Sequence, residues 1–216
     1  MVGVAKHFIV EIMETETYAY LFPSCVAIKN LPSWLAKLEE PTKKYLDLSR
    51  NADRVWWDGP NIPGVTTNFK YRLEQQPEFA DFCDFLKDEA KKFLVENGIV
   101  ESSIRPFGKL ELWANEMIRG SFHRRHVHPG SIVSGTFYIE APEDSPSIVM
   151  YDPRLAREML FTPGEVDTKG NSALWTETYF KPYNGLLLMW NSWMPHQVPV
   201  SMSDKPRIAL SFNISY

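Results

Sequence analysis

Cysteine is scarce in this chain. Cys25 and Cys83 are the only two among 216 residues, and they form no CxxC pair. A disulfide framework and a cysteine zinc cluster are therefore excluded as organising features. Free thiols also point to a reducing cytoplasm. No unbroken apolar run approaches the roughly 18 residues that a membrane-spanning helix needs. The segment from Met1 to Val10 lacks the apolar core and small-residue cleavage site of a secretory signal. Charge of one sign is missing too: 23 Lys and Arg stand against 27 Asp and Glu, a net charge of −4 with no like-charged block. Nucleic-acid binding driven by bulk charge is thus not expected.

What the chain does have is core. Hydrophobic residues make up 44% and aromatic residues 13%, while proline outnumbers glycine by 16 to 11. Such a balance favours a β-rich fold with many fixed turns. Residues 4–12 and 17–22 read as extended, the latter with Tyr18, Tyr20 and Phe22 on alternate positions. Pro32 opens a helical pattern that runs to about Ser49, with Pro41 interrupting it. Two adjacent tryptophans and several turn dipeptides make 50–70 a long loop. The clearest helix is 77–97, where Phe79, Phe82, Leu86, Ala90 and Phe93 recur at helical spacing. Its phenylalanine stripe is a core face rather than a cofactor pocket, and Gly98 stops it.

Beyond Ile104 the period shortens. Strands are predicted at 108–118, 121–127, 132–140, 147–151, 174–180, 185–190, 196–201 and 207–215, separated by Gly, Pro and Asp clusters. Eight strands after a helical lead-in suggest a double-sheet jelly roll. We expect one domain over 1–216, with 1–105 as a helical and extended support region and 106–216 as the jelly-roll core.

Four of the five histidines are grouped. His7 stands alone and reads as structural, but His123, His126 and His128 crowd into SFHRRHVHPGS, and His196 follows the apolar strand Leu186 to Trp190. Side chains at i and i+2 of a strand share a face. His126 and His128 are therefore expected to point the same way and His123 the other. Two such imidazoles can converge on one metal at roughly 2.0–2.2 Å per bond. A lone HxH is a weak signal, since an exposed pair at a strand end is common. A third histidine from a separate strand would complete a facial triad. Arg207 opens the otherwise apolar RIALSFN. A guanidinium buried there needs an anion, the strand has no acidic residue, and a ligand carboxylate fits the two-pronged fork.

The order HxH, then SGTFYIEAP, then PYNGLLLMWNSWMPH, then RIALSFN resembles the Fe(II)/2-oxoglutarate oxygenases. More narrowly, it resembles their uncharacterised branch with HxH in place of HxD, as do LFPSCV and WANEM followed by RGSFHRRHVHPGS. The resemblance covers most of the chain and is densest from 107 to 213. It implies a mainly β fold, a double-stranded β-helix with a helical N-terminal part. It implies metal ligation by His126 and His196, with Arg207 gripping the remote carboxylate of 2-oxoglutarate and Tyr138 offering it a hydroxyl. Ser134 and Asn115 would also line that cosubstrate's cavity. His128 stands where the family's carboxylate ligand is usual. Either all three rings bind, or His128 stands aside and water takes its place. Three neutral rings would leave the centre more positive than two rings and a carboxylate do, which favours an anionic cosubstrate.

The expected function is that of a non-haem Fe(II)- and 2-oxoglutarate-dependent dioxygenase, consuming O2 and most simply hydroxylating its substrate. Two alternatives stand beside it: a cupin-like three-His metalloenzyme that uses no 2-oxoglutarate, and a non-catalytic metal-binding β-helix. The expected partners are the cosubstrate and an unidentified substrate, with neither nucleic acid nor membrane, and a homodimer through an exposed sheet edge. Ligand histidines must be neutral, so metal affinity is expected to fall as the pH drops through about 6.5 to 5. Arg105, Arg119, Arg124 and Arg125 read as solvated faces more readily than as a basic rim. Trp190 and Trp193 divide evenly between core and pocket. Ser121, Ser131 and Ser134 have no triad partners, which argues against a serine hydrolase.

Overall fold

The computed structural model describes residues 24–50, 63–67, 71–154, 156, 164–167, 169 and 174–216. The extended segments expected at 4–12 and 17–22, His7 and most of the 50–70 loop lie outside them. Two antiparallel sheets face one another. Their strands are β1 (Val26–Asn30), β2 (Val65–Thr66), β3 (Lys109–Met117), β4 (His123–His126), β5 (Val133–Glu140), β6 (Ile148–Tyr151), β7 (Glu177–Phe180), β8 (Leu186–Asn191), β9 (His196–Val198) and β10 (Arg207–Ser215). The larger sheet has the order β1-β8-β5-β10-β3-β2 and the smaller β4-β9-β6-β7. This is the double-stranded β-helix expected from the sequence.

Alternation along the strands builds two cores. On β10, Ile208, Leu210, Phe212 and Ile214 face one way, together with Leu110 and Leu112 of β3, Val133 and Phe137 of β5 and Leu187 and Met189 of β8. Helices α1 (Pro32–Arg50) and α2 (Ala80–Glu96) cover this face with Leu38, Tyr45, Leu46, Phe82, Leu86, Ala90 and Phe93. The opposite face presents Tyr138, Leu186, Leu188, Trp190 and Ala209 to Ile148, Met150 and Val198 of the smaller sheet. Because β8 is buried on both sides, its sequence is a continuous apolar run rather than an alternating one.

Three details differ from the sequence expectation. Pro41 lies inside α1 without ending it. Leu38 on one side of it and Tyr45 and Leu46 on the other are buried in the same core, and this packing outweighs the lost hydrogen bond. Strand β1, VAIKN, has little pattern of its own and forms by pairing in register with β8, Val26 opposite Trp190. Strand β2 is only two residues within the expected loop and is held against Glu116 and Asn115 of β3.

Candidate metal and cosubstrate site

The open space between the sheets is a cavity of about 350 Å³, walled by β3, β5, β8 and β10 on one side and by β4 and β9 on the other. The residues of β10 that do not face the helices, Arg207, Ala209, Ser211 and Asn213, line it, as do Glu111, Trp113 and Asn115 of β3. All four histidines of the second half, His123, His126, His128 and His196, line the other side.

His126, His128 and His196 form a cluster whose candidate ligand atoms all lie within 4.8 Å of one another. His126 and His196 are directly opposed on β4 and β9, with ring centres 4.3 Å apart. His128 reaches the cluster differently from the expected strand alternation, because β4 ends at His126. A backbone bond from His128 N to Ser192 O, 3.0 Å, carries it back to the end of β8, and its Nε2 sits 3.3 Å from His196 Nε2. Backbone carbonyls orient two of the rings. His126 Nδ1 donates to Arg124 O at 2.6 Å and His196 Nδ1 to Met194 O at 2.9 Å. Both therefore carry the Nε2 lone pair that a metal takes.

His123 does not face away, as strand alternation predicts; it lines the cavity with the others. A bulge is the reason. His123 pairs with Val198 and His126 with His196, so a step of three residues on β4 matches a step of two on β9. The inserted residue reverses the parity of the side chains. Arg124 and Arg125 occupy the bulge and are exposed, with the Arg125 guanidinium 4.2 Å from the Tyr151 ring centre. Arg119 pairs with Asp204 on the surface and Arg105 stacks on Tyr216. Of the two tryptophans, Trp190 is buried in the cavity wall and Trp193 is half exposed.

Burial keeps His128 and His196 neutral. It lowers the His128 pKa to about 4 and that of His196 to about 3, with the neighbouring rings adding to the effect. Neutral imidazoles are the form that binds a metal, so the donor set fits an ion such as Fe(II). Protons begin to compete at these two rings well below the free-imidazole range. For these two rings the pH window expected from free histidine therefore shifts down.

Arg207 is 3% exposed. Its Nη2 donates to Tyr138 Oη at 3.0 Å and its Nη1 lies 3.1 Å from Met117 Sδ, but its Nε is buried with no partner among the described residues. Among the described residues no carboxylate pairs with it. Tyr138 is fully buried, and burial raises the pKa of its hydroxyl against the pull of Arg207, so the hydroxyl keeps its proton. Asn115 lines the cavity and donates to Ser211 Oγ at 3.3 Å. Ser134 lies behind the wall, bonded to Ser192 and Asn213 rather than open to the cavity. Trp113, Thr136, Ser211 and Asn213 were not singled out by sequence reading. Their signal was the alternation of β3, β5 and β10, legible once the cavity-facing side of each strand is known.

Residues 111–213 match the family described as "Putative 2OG-Fe(II) oxygenase". No curated protein sequence matches the chain significantly. Among solved structures, a prolyl-4-hydroxylase from Pseudomonas putida is similar with a TM-score of 0.60 at 15% identity, over 89% of this chain and 94% of that one. AviO1 from Streptomyces viridochromogenes Tue57 is similar with a TM-score of 0.61 at 11% identity, over 89% and 90%. HygX from Streptomyces hygroscopicus, in a structure with nickel and 2-oxoglutarate bound, is similar with a TM-score of 0.55 at 13% identity, over 89% and 83%. At such identities these neighbours show the fold, a double-stranded β-helix. The family match spans β4 to β9, most of β3 and β10, and both histidine blocks. It supports a 2OG-Fe(II) oxygenase, that is, an oxidoreductase.

Proposed function

We propose that His126, His128 and His196 hold Fe(II), that Arg207 and Tyr138 anchor the remote carboxylate of 2-oxoglutarate, and that the enzyme hydroxylates a C–H bond of its substrate. The observation that carries this reading is the buried Arg207, whose Nε has no partner and which opens on the same cavity as the three histidines. A buried guanidinium left unpaired costs several kcal/mol, on the order of 3–5. A diacid with one carboxylate at Arg207 and its keto-acid end near the histidines removes that cost. The Tyr138 hydroxyl accepts from Arg207 and keeps its own proton to donate to the same carboxylate. Asn115 borders this pocket. Ser134 acts one step further out, on the residues behind the wall.

When bound, Fe(II) supplies the activation of O2 that is coupled to oxidation of 2-oxoglutarate to succinate and CO2. The protein's own contribution is to orient the cosubstrate, to keep three neutral nitrogens in place and to exclude water with Trp190, Met117 and Val198. A cupin-like enzyme without 2-oxoglutarate would leave Arg207 with no anion, so we set that reading aside. We further propose a single domain, since β1 from the N-terminal region completes the larger sheet beside β8. No helix among the described residues is long and apolar enough to cross a membrane. With free Cys25 and Cys83, a cytoplasmic setting is our reading. A homodimer would pair through β4 or β7, the edges of the smaller sheet.

The test is stoichiometric: purified protein with Fe(II), O2 and labelled 2-oxoglutarate, assayed for succinate and CO2 with a metabolite panel. Release that requires both metal and O2 is expected. Absence of release under every condition, with iron bound, would return the protein to the non-catalytic reading.

A further inference from the structure

The cavity is closed at one end and open at the other. Along β3, Met117 and Asn115 are buried, while Trp113 and Glu111 on the same face are partly exposed. Along β10 the same change runs from Arg207 and Ala209 to Ser211 and Asn213. The two gradients coincide because the strands are paired: Arg207 stands opposite Met117, Ser211 opposite Trp113 and Asn213 opposite Glu111. Arg207 therefore sits at the closed end, and Glu111 with Trp113 at the mouth. Among the described residues, Arg207 is the only arginine or lysine on the cavity wall and Glu111 the only carboxylate. The step from Arg207 to Asn213, opposite Glu111, covers roughly 20 Å of strand. The histidine cluster lies towards the mouth, since the His128 ring is 3.3 Å from the Asn213 side chain. Arg124 and Arg125 are exposed on β4 and stand outside the cavity lining, Arg125 against Tyr151.

We propose that Glu111 and Trp113 select a cationic substrate, one whose alkylammonium group binds at the mouth with its carbon chain towards the histidines. The inference rests on the oxygenase reading above and names the substrate class of that site. Glu111 and Trp113 are two residues apart on one strand, so their side chains share a face. A carboxylate beside an indole is a two-part receptor for an organic cation. The carboxylate accepts charge-assisted hydrogen bonds, and the ring attracts the same charge while covering the carbons attached to it. A neutral group gains little from either. An anion meets Glu111 at the entrance, and the one fixed cation on the wall is taken by the cosubstrate at the closed end. Glu111 already holds an alkylammonium: Lys109, two residues outward on the same strand face, reaches its Oε1 at 2.6 Å. Lys109 is half exposed and stands outside the cavity lining. An exposed pair of this kind holds weakly, so a substrate cation that also meets Trp113 displaces it. The volume of about 350 Å³ must take both the cosubstrate and the reacting part of the substrate, which favours a narrow chain.

The experiment is ligand-observed NMR on protein given Mn(II) and excess 2-oxoglutarate, with pentylamine, pentanol and pentanoate as matched probes. Saturation transfer reports binding, and relaxation by Mn(II) reports nearness to the metal. Wild type is expected to bind pentylamine about ten-fold more tightly than pentanol or pentanoate. Glu111→Gln keeps the shape and removes the charge. It should weaken pentylamine about five- to thirty-fold and leave pentanol unchanged. Trp113→Leu should weaken pentylamine about two- to five-fold. Lys109→Met frees the carboxylate and should tighten pentylamine by up to about five-fold, which a loss of folding would not do. Affinity for 2-oxoglutarate, titrated calorimetrically in the same proteins, should stay constant. A blocked tripeptide with a central lysine distinguishes the two sources of an alkylammonium: binding like that of pentylamine assigns a lysine side chain, exclusion a free amine. Pentanoate preferred over pentylamine, or pentylamine bound equally by wild type and Glu111→Gln, overturns the inference. Failure of 2-oxoglutarate to bind, with pentylamine still distinguishing wild type from Glu111→Gln, overturns the cosubstrate reading and leaves the cation-selective mouth standing.

Discussion

Arg207 is the residue on which the proposed cosubstrate site rests. The first residue of β10 is held by Tyr138 and Met117 with its fork half satisfied. Lysine at this position keeps the charge but loses the two-pronged geometry, and alanine loses both. Truncating one member of a buried charged pair costs on the order of 2–5 kcal/mol, about thirty-fold to several thousand-fold in affinity. Calorimetric titration of 2-oxoglutarate into manganese-loaded protein should therefore rank wild type above Arg207→Lys, and Arg207→Lys above Arg207→Ala. Tyr138→Phe removes one neutral hydrogen bond and should cost only about 0.5–1.5 kcal/mol. Metal content should hardly change in any of them. Equal affinities in wild type and Arg207→Ala would remove the cosubstrate from this end of the cavity.

At the scale of the element, the site depends on strands whose two faces do different things. β10 is the clearest case: its even-numbered residues hold the helices and its odd-numbered residues line the cavity. Close packing between β10 and β5 depends on Gly135, which pairs with Phe212. A β-carbon at Gly135 would meet Leu188 O at 2.5 Å and run into the Phe212 ring. The ring could turn, but the backbone oxygen belongs to β8 and cannot move without opening the β5–β8 ladder. Gly135→Ala should lower stability by about 1–3 kcal/mol, read as a lower urea midpoint at unchanged slope. An unchanged midpoint would mean the larger sheet tolerates a spread that its geometry does not suggest. The bulge in β4 is the second element-scale device, since it alone puts His123 on the cavity wall.

For the molecule as a whole, burying His128 and His196 without charge couples folding to pH. Their folded pKa values are depressed to about 4 and about 3, against about 6.5 when unfolded. Between those limits the unfolded chain binds protons that the native rings refuse, so stability is full above about pH 6.5 and falls as the pH drops. At pH 5 the loss is about 2 kcal/mol per ring. The carboxylates held low by cationic partners, Glu78, Glu89 and Asp204, have native pKa values below their ordinary ones, so their contribution is lost only at lower pH. Urea midpoints of the metal-free protein at pH 7 and 5 should differ, and His196→Gln should shrink that difference by roughly half. If the variant keeps the whole difference, the pH response comes from groups other than His196.

The sequence by itself determined the strands after Ile104, the two-sheet class and the residues with the strongest chemistry: His126, His128, His196 and Arg207. These are local signals. Alternation of period two is written in β3 and β10, and a histidine or an arginine in an apolar strand is conspicuous without knowledge of its neighbours. Only the tertiary structure decided the rest. The side on which His123 falls depends on pairing with β9, because a bulge exists only relative to a partner strand. β1 is a strand because β8 offers it an edge. Asn213 and Ser134 read as ordinary polar residues of alternating strands until the return of β8 places Ser192 and His128 beside them. Whether a buried polar group is satisfied or waiting for a ligand is a property of what surrounds it. For Arg207 Nε, that was settled by β3, β5 and β10 meeting at one point.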